Sequence, residues 1–259
     1  MYQFISRRIA QAAITVLVVS IVVFGFMNVA GDPAALLLPP EASPSELEVF
    51  RRELGLDRPA HVRYFTFMTN FWYSDRVKSF RYSDRLMPLV LSHLRWTLVL
   101  ATAALVVAMA VAIPLGAVAA LHRGRIVDVL IRLVAVSGES VPSFVTGILL
   151  MYVLAVQFPI FPVAGLGLRN AVLPVTTLAM FQLAVLLRLF RSELLEVFGQ
   201  DYIRTARAKG LWEQAVLVHH AFRNAAIPVL AMAGLLLNFL VLGAVVVEPI
   251  FAWPGLGWL

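Results

Sequence analysis

An all-α, polytopic membrane protein is the fold class this sequence predicts, on three observations. Of 259 residues, 61% are apolar and 14% are Asp, Glu, Lys or Arg, against roughly 45–50% and about 25% in an ordinary soluble domain. The mean hydropathy is +0.86. The apolar residues are gathered into five long blocks separated by charged stretches. Such a chain is too oily for a soluble enzyme and too low in charge for a disordered protein, and it carries no fibrous repeat.

A helix needs about 20 apolar residues to cross the ~30 Å hydrocarbon core. The blocks run over Ile9–Ala30, Thr97–Leu121, Leu133–Gln157, Val172–Phe190 and Ile227–Glu248. The first follows Arg7 and Arg8 like a signal peptide, but its apolar run is too long for a signal core and no small-x-small cleavage site follows. An uncleaved helix over residues 1–30 is therefore expected. The chain then divides into an extracytoplasmic loop, 31–96, and a membrane core, 97–259, that includes an inner loop at 191–226.

Orientation follows from basic residues in short loops. With the N-terminus inside, the inner segments hold Arg7, Arg8, Arg123, Arg125, Arg132, Arg188, Arg191, Arg204, Arg207, Lys209 and Arg223, while the short outer loop holds Arg169. The long loop carries nine basic residues, but loops beyond about 60 residues translocate largely regardless of charge. The net charge of +6 is spread over helix ends, where cations meet headgroups, and forms no stripe that would suit nucleic acid. Five spans leave the chain stopping just after Trp253-Pro254-Gly255-Leu256-Gly257, an ending that predicts a missing sixth span.

In the long loop, Ser45 with a Glu three residues on reads as a capping box and Gly55 as a stop, so a helix is expected over Ser45–Leu54. Phe65, Phe67, Phe71, Trp72 and Tyr73 then read as an interfacial aromatic belt, ahead of a docking surface for an outer partner. The absence of cysteine excludes disulfides, thiolate metal sites and thiol nucleophiles. Adjacent His219 and His220 point about 100° apart on a helix and make a poor metal clamp. No metal or cofactor is expected.

The most informative stretch lies between the fourth and fifth blocks. Asp201 is placed to cap a short helix that Gly210 breaks, with Arg204, Arg207 and Lys209 in its last turns. A second helix is expected over Leu211–Arg223, with Leu211, Ala215, Val218 and Phe222 on one apolar face. Pro228 is placed in the first turn of the fifth span. Topology needs a few cations, not about 36 residues with four carboxylates (Glu193, Glu196, Asp201 and Glu213) among them. A docking platform for a soluble cytoplasmic protein accounts for that organisation.

Asp201-Tyr-Ile-Arg-Thr-Ala-Arg-Ala-Lys-Gly-Leu211, followed by His220-Ala-Phe-Arg-Asn-Ala-Ala-Ile-Pro228, resembles the cytoplasmic signature of the membrane-spanning subunits of binding-protein-dependent ABC importers, in its dipeptide/oligopeptide/nickel form. The likeness extends to Gly31-Asp32-Pro33, Leu54-Gly-Leu-Asp-Arg-Pro59, Ile113-Pro-Leu-Gly116, Val141-Pro-Ser-Phe144 and Glu248-Pro-Ile-Phe-Ala-Trp-Pro-Gly-Leu-Gly257. The Arg223-to-Pro228 form favours the peptide/nickel branch over sugar importers. Ser74-Asp75-Arg76-Val77 departs from the Gly-Asp-Leu-Gly usual in the family, and the family has six spans.

The resemblance implies a type I importer permease in a bacterial inner membrane, carrying peptides, nickel chelates or glutathione. It implies a second homologous permease, two cytoplasmic ATP-binding subunits and an extracytoplasmic solute-binding protein as partners. Asp201, Arg204, Thr205, Ala206, Arg207, Lys209 and Gly210 would then form the helix that couples to an ATPase subunit. The chain itself has no Gly-x-x-x-x-Gly-Lys-Ser/Thr loop, and its lysines, Lys78 and Lys209, follow no Gly-rich phosphate cradle, so it is not expected to be an enzyme. An intramembrane hydrolase is disfavoured, since neither a Gly-x-Ser-x-Gly elbow nor a His-Glu-x-x-His is present. The competing reading is an ion-coupled transporter or channel using Glu139, because an intramembrane carboxylate is a functional candidate by default. In the importer reading Glu139, Ser140, Ser143 and Thr146 line a polar path, and Glu248 lies near a helix end within reach of water.

Overall fold

A computed structural model describes residues 2–30, 34, 43–53, 55–73 and 86–259, in two compact units, Met1–Met87 and Pro88–Leu259. Gly31-Asp32-Pro33, Leu54 and Ser74–Val77 lie outside the described residues, as do the side chains of Phe71, Trp72 and Tyr73. Among the described residues every regular element is helical. Among the described residues four helices are long and apolar enough to cross a membrane, and a bent pair makes a fifth span if counted as one.

The first unit holds α1 (Tyr2–Ala30), α2 (Pro44–Glu53) and α3 (Ala60–Tyr73). None of α1's apolar window is buried within the chain. The capping box of α2 sits two residues before its expected place. The Ser43 hydroxyl accepts from the Glu46 backbone at 3.3 Å, and Glu46 Oε2 accepts from the Ser43 backbone at 2.8 Å. The Ser43 backbone N–H first, and its hydroxyl donating to Oε2 at 2.9 Å second, hold the Glu46 carboxyl below the usual carboxylate range. Ser43 wins over Ser45 because Pro44, whose φ is preset and whose missing N–H is no loss there, then falls in the first helical position. Gly55 ends α2 at φ +65, with Gly55 N donating to Arg52 O at 3.0 Å and Leu56 N to Arg51 O at 2.9 Å. The aromatic segment is helical, and its Tyr64 meets Ser20 at 2.7 Å and stands edge-on to Phe24.

The second unit is built around α7 (Leu168–Phe198), whose apolar window is 56% buried. Against it pack α5 (Ile126–Ser140), α6 (Ser143–Gln157) and α9 (Glu213–Ile250). The second span, α4 (Leu86–Leu121), starts eleven residues before the expected Thr97. Its buried stripe runs Ala104, Ala108, Ala112, Gly116 and Ala120 at four-residue spacing. Small residues at that spacing let two backbones approach, which is what drives helix packing where lipid is as apolar as the helix. At Gly116 a Cβ would stand 3.1 Å from the Leu187 carbonyl on α7 and 3.2 Å from Phe190.

The expected third span, Leu133–Gln157, is not one rod. α5 and α6 meet at 101°, because Pro142 forces Val141 into extended backbone (φ −99, ψ 127) and removes the N–H a continuing helix needs. The fifth span likewise departs from expectation: α9 starts at Glu213 and runs without interruption to Ile250, through Pro228 inside it.

The chain's last turns fold back onto α4. Trp253 Nε1 donates to the Trp96 carbonyl at 3.2 Å, Leu256 N donates to the Thr97 hydroxyl at 2.8 Å, and the Trp96 and Trp253 rings stand edge to face. Glu248, expected to meet water, is fully buried under this turn and takes Gly257 N on Oε2 at 2.7 Å. A Cβ on Gly255 would overlap the Glu248 carboxylate, and one on Gly257 would collide with the Val245 backbone.

Gly255→Ala is therefore expected to lower the melting temperature of the detergent-purified protein, at a cost of about 1–3 kcal/mol. Gly234→Ala, whose Cβ meets nothing within 4 Å, should leave it unchanged or raise it, with a gain in stability of up to about 1 kcal/mol. Thermal unfolding followed by size-exclusion chromatography checks both.

Candidate functional site

Between α7 and α9 stands a short helix, α8 (Asp201–Ala208). Its N-cap is Gln200, extended at φ −74, ψ 149, and not Asp201. Asp201 is instead the first helical residue, where its charge faces the positive end of the helix. At the other end Gly210 N donates to Arg207 O at 2.9 Å and Leu211 N to Ala206 O at 3.4 Å, the double bond pattern of a glycine-closed helix. Gly210 sits at φ +83 with open space around a would-be Cβ, so glycine is required by backbone conformation and not by crowding.

Ile203 and Ala206 turn inward, at 0% and 6% exposure, and α8 packs on the end of α7 and the start of α9. Arg207 ties the three helices together. It donates from Nε and Nη2 to the two Glu213 carboxylate oxygens at 2.8 and 3.1 Å, and its guanidinium lies 5.6 Å above the Phe198 ring. Asn224 donates to the Tyr202 hydroxyl at 2.9 Å from the α9 side. Asp201, Arg204, Thr205 and Lys209 are left exposed on the outward face. The Thr205 hydroxyl donates to the Asp201 carbonyl. Of the seven residues expected to couple, Ala206 and Arg207 thus bind the helix to its own chain, and Gly210 shapes its exit.

The helix expected over Leu211–Arg223 has a different face from the one its spacing suggests. Val218 is 60% exposed and Phe222 40%, while Val216 and Ala221 are buried. The reason is a π-helical stretch at Val216–Ala221, which takes up one extra residue in the turn. From Ala221 the buried stripe continues through Ala225, Val229 and Ala233 at ordinary spacing, so the extra residue brings the start of α9 into register with the span.

Sequence reasoning missed Asp128, which the fold makes central. It lies in the first turn of α5 with no exposed surface. Arg191 of α7 binds it with two bonds, Nε to Oδ1 at 2.7 Å and Nη2 to Oδ2 at 2.8 Å. Arg132 Nε adds a third at 3.1 Å and Gly124 N a fourth at 3.0 Å. Bidentate guanidinium–carboxylate pairing is among the stronger polar contacts in proteins, and here it joins α5 to α7 about two turns before α7 ends. The one signal in the sequence was an acid in the opening turn of a mostly apolar helix, with Arg132 one turn on.

At its far end α5 is held again. Gly138 brings α5 close to Met180, and Arg188 Nη2 lies 2.7 Å from one Glu139 oxygen and 2.9 Å from the other. Glu139 therefore has its charge compensated within the chain. A cleft of about 490 Å³ opens at the α5–α6 bend, lined by Glu139, Ser140, Ser143, Phe144, Phe181 and Phe239 among others. Thr146 does not line it; its hydroxyl is turned to the Pro142 carbonyl at 3.4 Å. Gln182, also missed in the sequence, borders the cleft at 4% exposure. Among the described residues no cluster of three or more His, Cys, Asp or Glu is placed to hold a metal ion.

Residues 112–259 match the family model of the binding-protein-dependent transport system inner membrane component, and residues 1–110 match the model of the N-terminal part of the same membrane component. A putative peptide transport system permease protein of Brucella suis biovar 1 is 42% identical, over 98% of this chain and 84% of its own length. Glutathione transport system permease proteins of Salmonella typhimurium and Escherichia coli O6:H1 are 36% and 37% identical, each over 99% of this chain and 85% of theirs. A crystal structure described as an amino acid ABC transporter with histidines aligns with 65% of this chain and 74% of its own at TM-score 0.47 and 20% identity.

Asp128→Asn keeps the shape of the side chain but leaves Arg191 and Arg132 without their anion. It should destabilise the protein by about 3 kcal/mol, since breaking a buried pair strands the remaining charge. The reversed pair Asp128→Arg with Arg191→Asp should recover part of the loss. Glu139→Gln, at a half-exposed pair, should change stability by about 1 kcal/mol or less. Denaturant unfolding in detergent ranks the variants.

Proposed function

Since this chain belongs to the binding-protein-dependent transport system inner membrane component family, as a multi-pass permease subunit of an inner-membrane ABC importer, we propose that it moves short peptides and is driven through α8. The family places the ATPase in a separate subunit and implies a solute-binding protein. Our reading adds a second homologous permease, two ATPase subunits, no enzymatic activity in this chain and a cytoplasmic N-terminus, the last supported by the basic residues of the short loops. Relatives named for peptide and glutathione transport support peptides as cargo, glutathione being itself a small peptide.

The observation that carries this reading is the build of α8. It is closed at its exit by Gly210, seated by Ile203 and Ala206, and bridged to α9 by Arg207–Glu213. Such a helix resists bending, so a push on its outward face, through Asp201, Arg204, Thr205 and Lys209, passes into α7 through only Gly199 and Gln200. α5 follows, because Asp128–Arg191 and Glu139–Arg188 hold it to α7. The pinned body ends at Val141–Pro142, and there the cleft widens or narrows as a hinge between two packed parts. Glu139, Ser140 and Ser143 then lie on the path and Thr146 supports its wall. The ion-coupled alternative finds no support, because the carboxylate it needs free is already paired with Arg188.

The chain should copurify with ATPase subunits after mild detergent extraction. Arg204→Glu together with Lys209→Glu should weaken that association at least about tenfold, or about 1.4 kcal/mol, without lowering the melting temperature. Gly210→Val should lower both association and uptake. Uptake into vesicles should stop on ATP depletion and persist when proton and sodium gradients are dissipated. A native chain that binds no ATPase overturns the reading.

A further inference from the structure

Gln182 is a buried amide with an unmet hydrogen bond. Other buried polar groups of the second unit find partners: Thr97 takes Leu256 N, Thr177 donates to the Leu173 carbonyl and Asp128 takes four donors. The Glu248 carboxylate leaves one oxygen without a donor, but its other oxygen takes Gly257 N inside a closed turn. Gln182 Oε1 has no donor among the described residues, and Gln182 borders the cleft at the α5–α6 bend. A buried acceptor left unpaired is a standing cost to the fold, and it is tolerated where a ligand or a moving part supplies the donor.

The surroundings narrow the class of donor. Phe144, Phe181 and Phe239 give the cleft apolar walls, with Ser140 and Ser143 as small polar points. The charged pair at the rim, Glu139–Arg188, is neutral as a unit and favours neither a free ammonium nor a free carboxylate. What remains is a neutral group that donates one hydrogen bond and sits among apolar surroundings. The peptide bond is such a group, and a side-chain carboxamide matches it with both an acceptor and donors.

Resting on the peptide reading above, we infer that Gln182 reads the backbone of the transiting peptide, with Oε1 accepting an N–H from one of its peptide bonds. Every peptide carries that N–H whatever its side chains, so the contact tolerates sequence while the aromatic walls accept side chains by apolar contact. In the arrangement described, Oε1 is closed off from solvent. The contact therefore forms when the bend at Val141–Pro142 opens and is broken as it closes again. Cargo is held only in transit, as conduction requires of a site that must also release.

The test uses the whole complex, this chain with its partner permease, ATPase subunits and solute-binding protein, in proteoliposomes. ATP-driven uptake of Ala-Ala-Ala is compared with uptake of the same tripeptide methylated at its peptide nitrogens. The quantity read is the ratio of kcat/KM for the two, in native complex and in Gln182→Leu. Any preference of the binding protein cancels between the two complexes. The expected native ratio is at least about tenfold above that of Gln182→Leu, through loss of Ala-Ala-Ala uptake and not gain of the methylated peptide. Gln182→Glu, which keeps an acceptor oxygen, should retain the native ratio. ATPase stimulation by the loaded binding protein should persist in all variants.

An unchanged ratio in Gln182→Leu overturns the inference and makes Gln182 a packing residue. Failure of both Gln182→Leu and Gln182→Met to assemble also overturns it, because the amide is then partnered by a neighbouring subunit. No ATP-driven uptake of Ala-Ala-Ala by the native complex would instead sink the peptide reading itself, and shows before any variant is made.

Discussion

The pairing of Asp128 with Arg191 is the contact on which the rest of the second unit depends. A carboxylate without exposed surface survives because two guanidinium groups and a backbone N–H surround it. Its partners come from three places: the turn before α5, the next turn of α5 and the lower part of α7. The pair therefore does what apolar contact does in a soluble core, choosing one relative placement of two helices. Hydrocarbon side chains gain little by leaving lipid for each other, so specificity falls to polar pairs and to close backbone approach.

Close approach is the second device. α4 comes close to α7 at Gly116, which continues its stripe of buried alanines, and the C-terminal turn closes over Glu248 because Gly255 and Gly257 carry no Cβ. Where an α-helical period fails to present the same face throughout, a π turn supplies the missing residue, as at Val216–Ala221 before the long run of α9. Pro142 contributes the opposite effect. It breaks a span that length and hydropathy alone would make continuous, and the cleft opens where it breaks.

α8, α7 and α5 are linked by ion pairs and short connections, whereas α6 leaves α5 at a sharp angle with no helical hydrogen bonds across the break. The cleft at that break is bordered by Gln182, whose Oε1 finds no donor among the described residues.

Much of this was legible in the order of residues alone. The apolar blocks announced the spans, the Gly210-broken basic segment announced α8, and Ser45 with Gly55 announced α2 to within a residue at either end, because capping and helix length are local properties. The placement of the caps slipped at Ser45 and Asp201, where several candidate side chains stand within two positions and backbone geometry selects one. The face of α9 slipped because a uniform period cannot anticipate a π turn. Asp128 with Arg191, Glu139 with Arg188, the burial of Glu248 and the orphaned Gln182 were decided only by tertiary structure. Each is a relation between groups far apart in the chain, and a membrane offers no alternation of polar and apolar faces from which such a relation could be read.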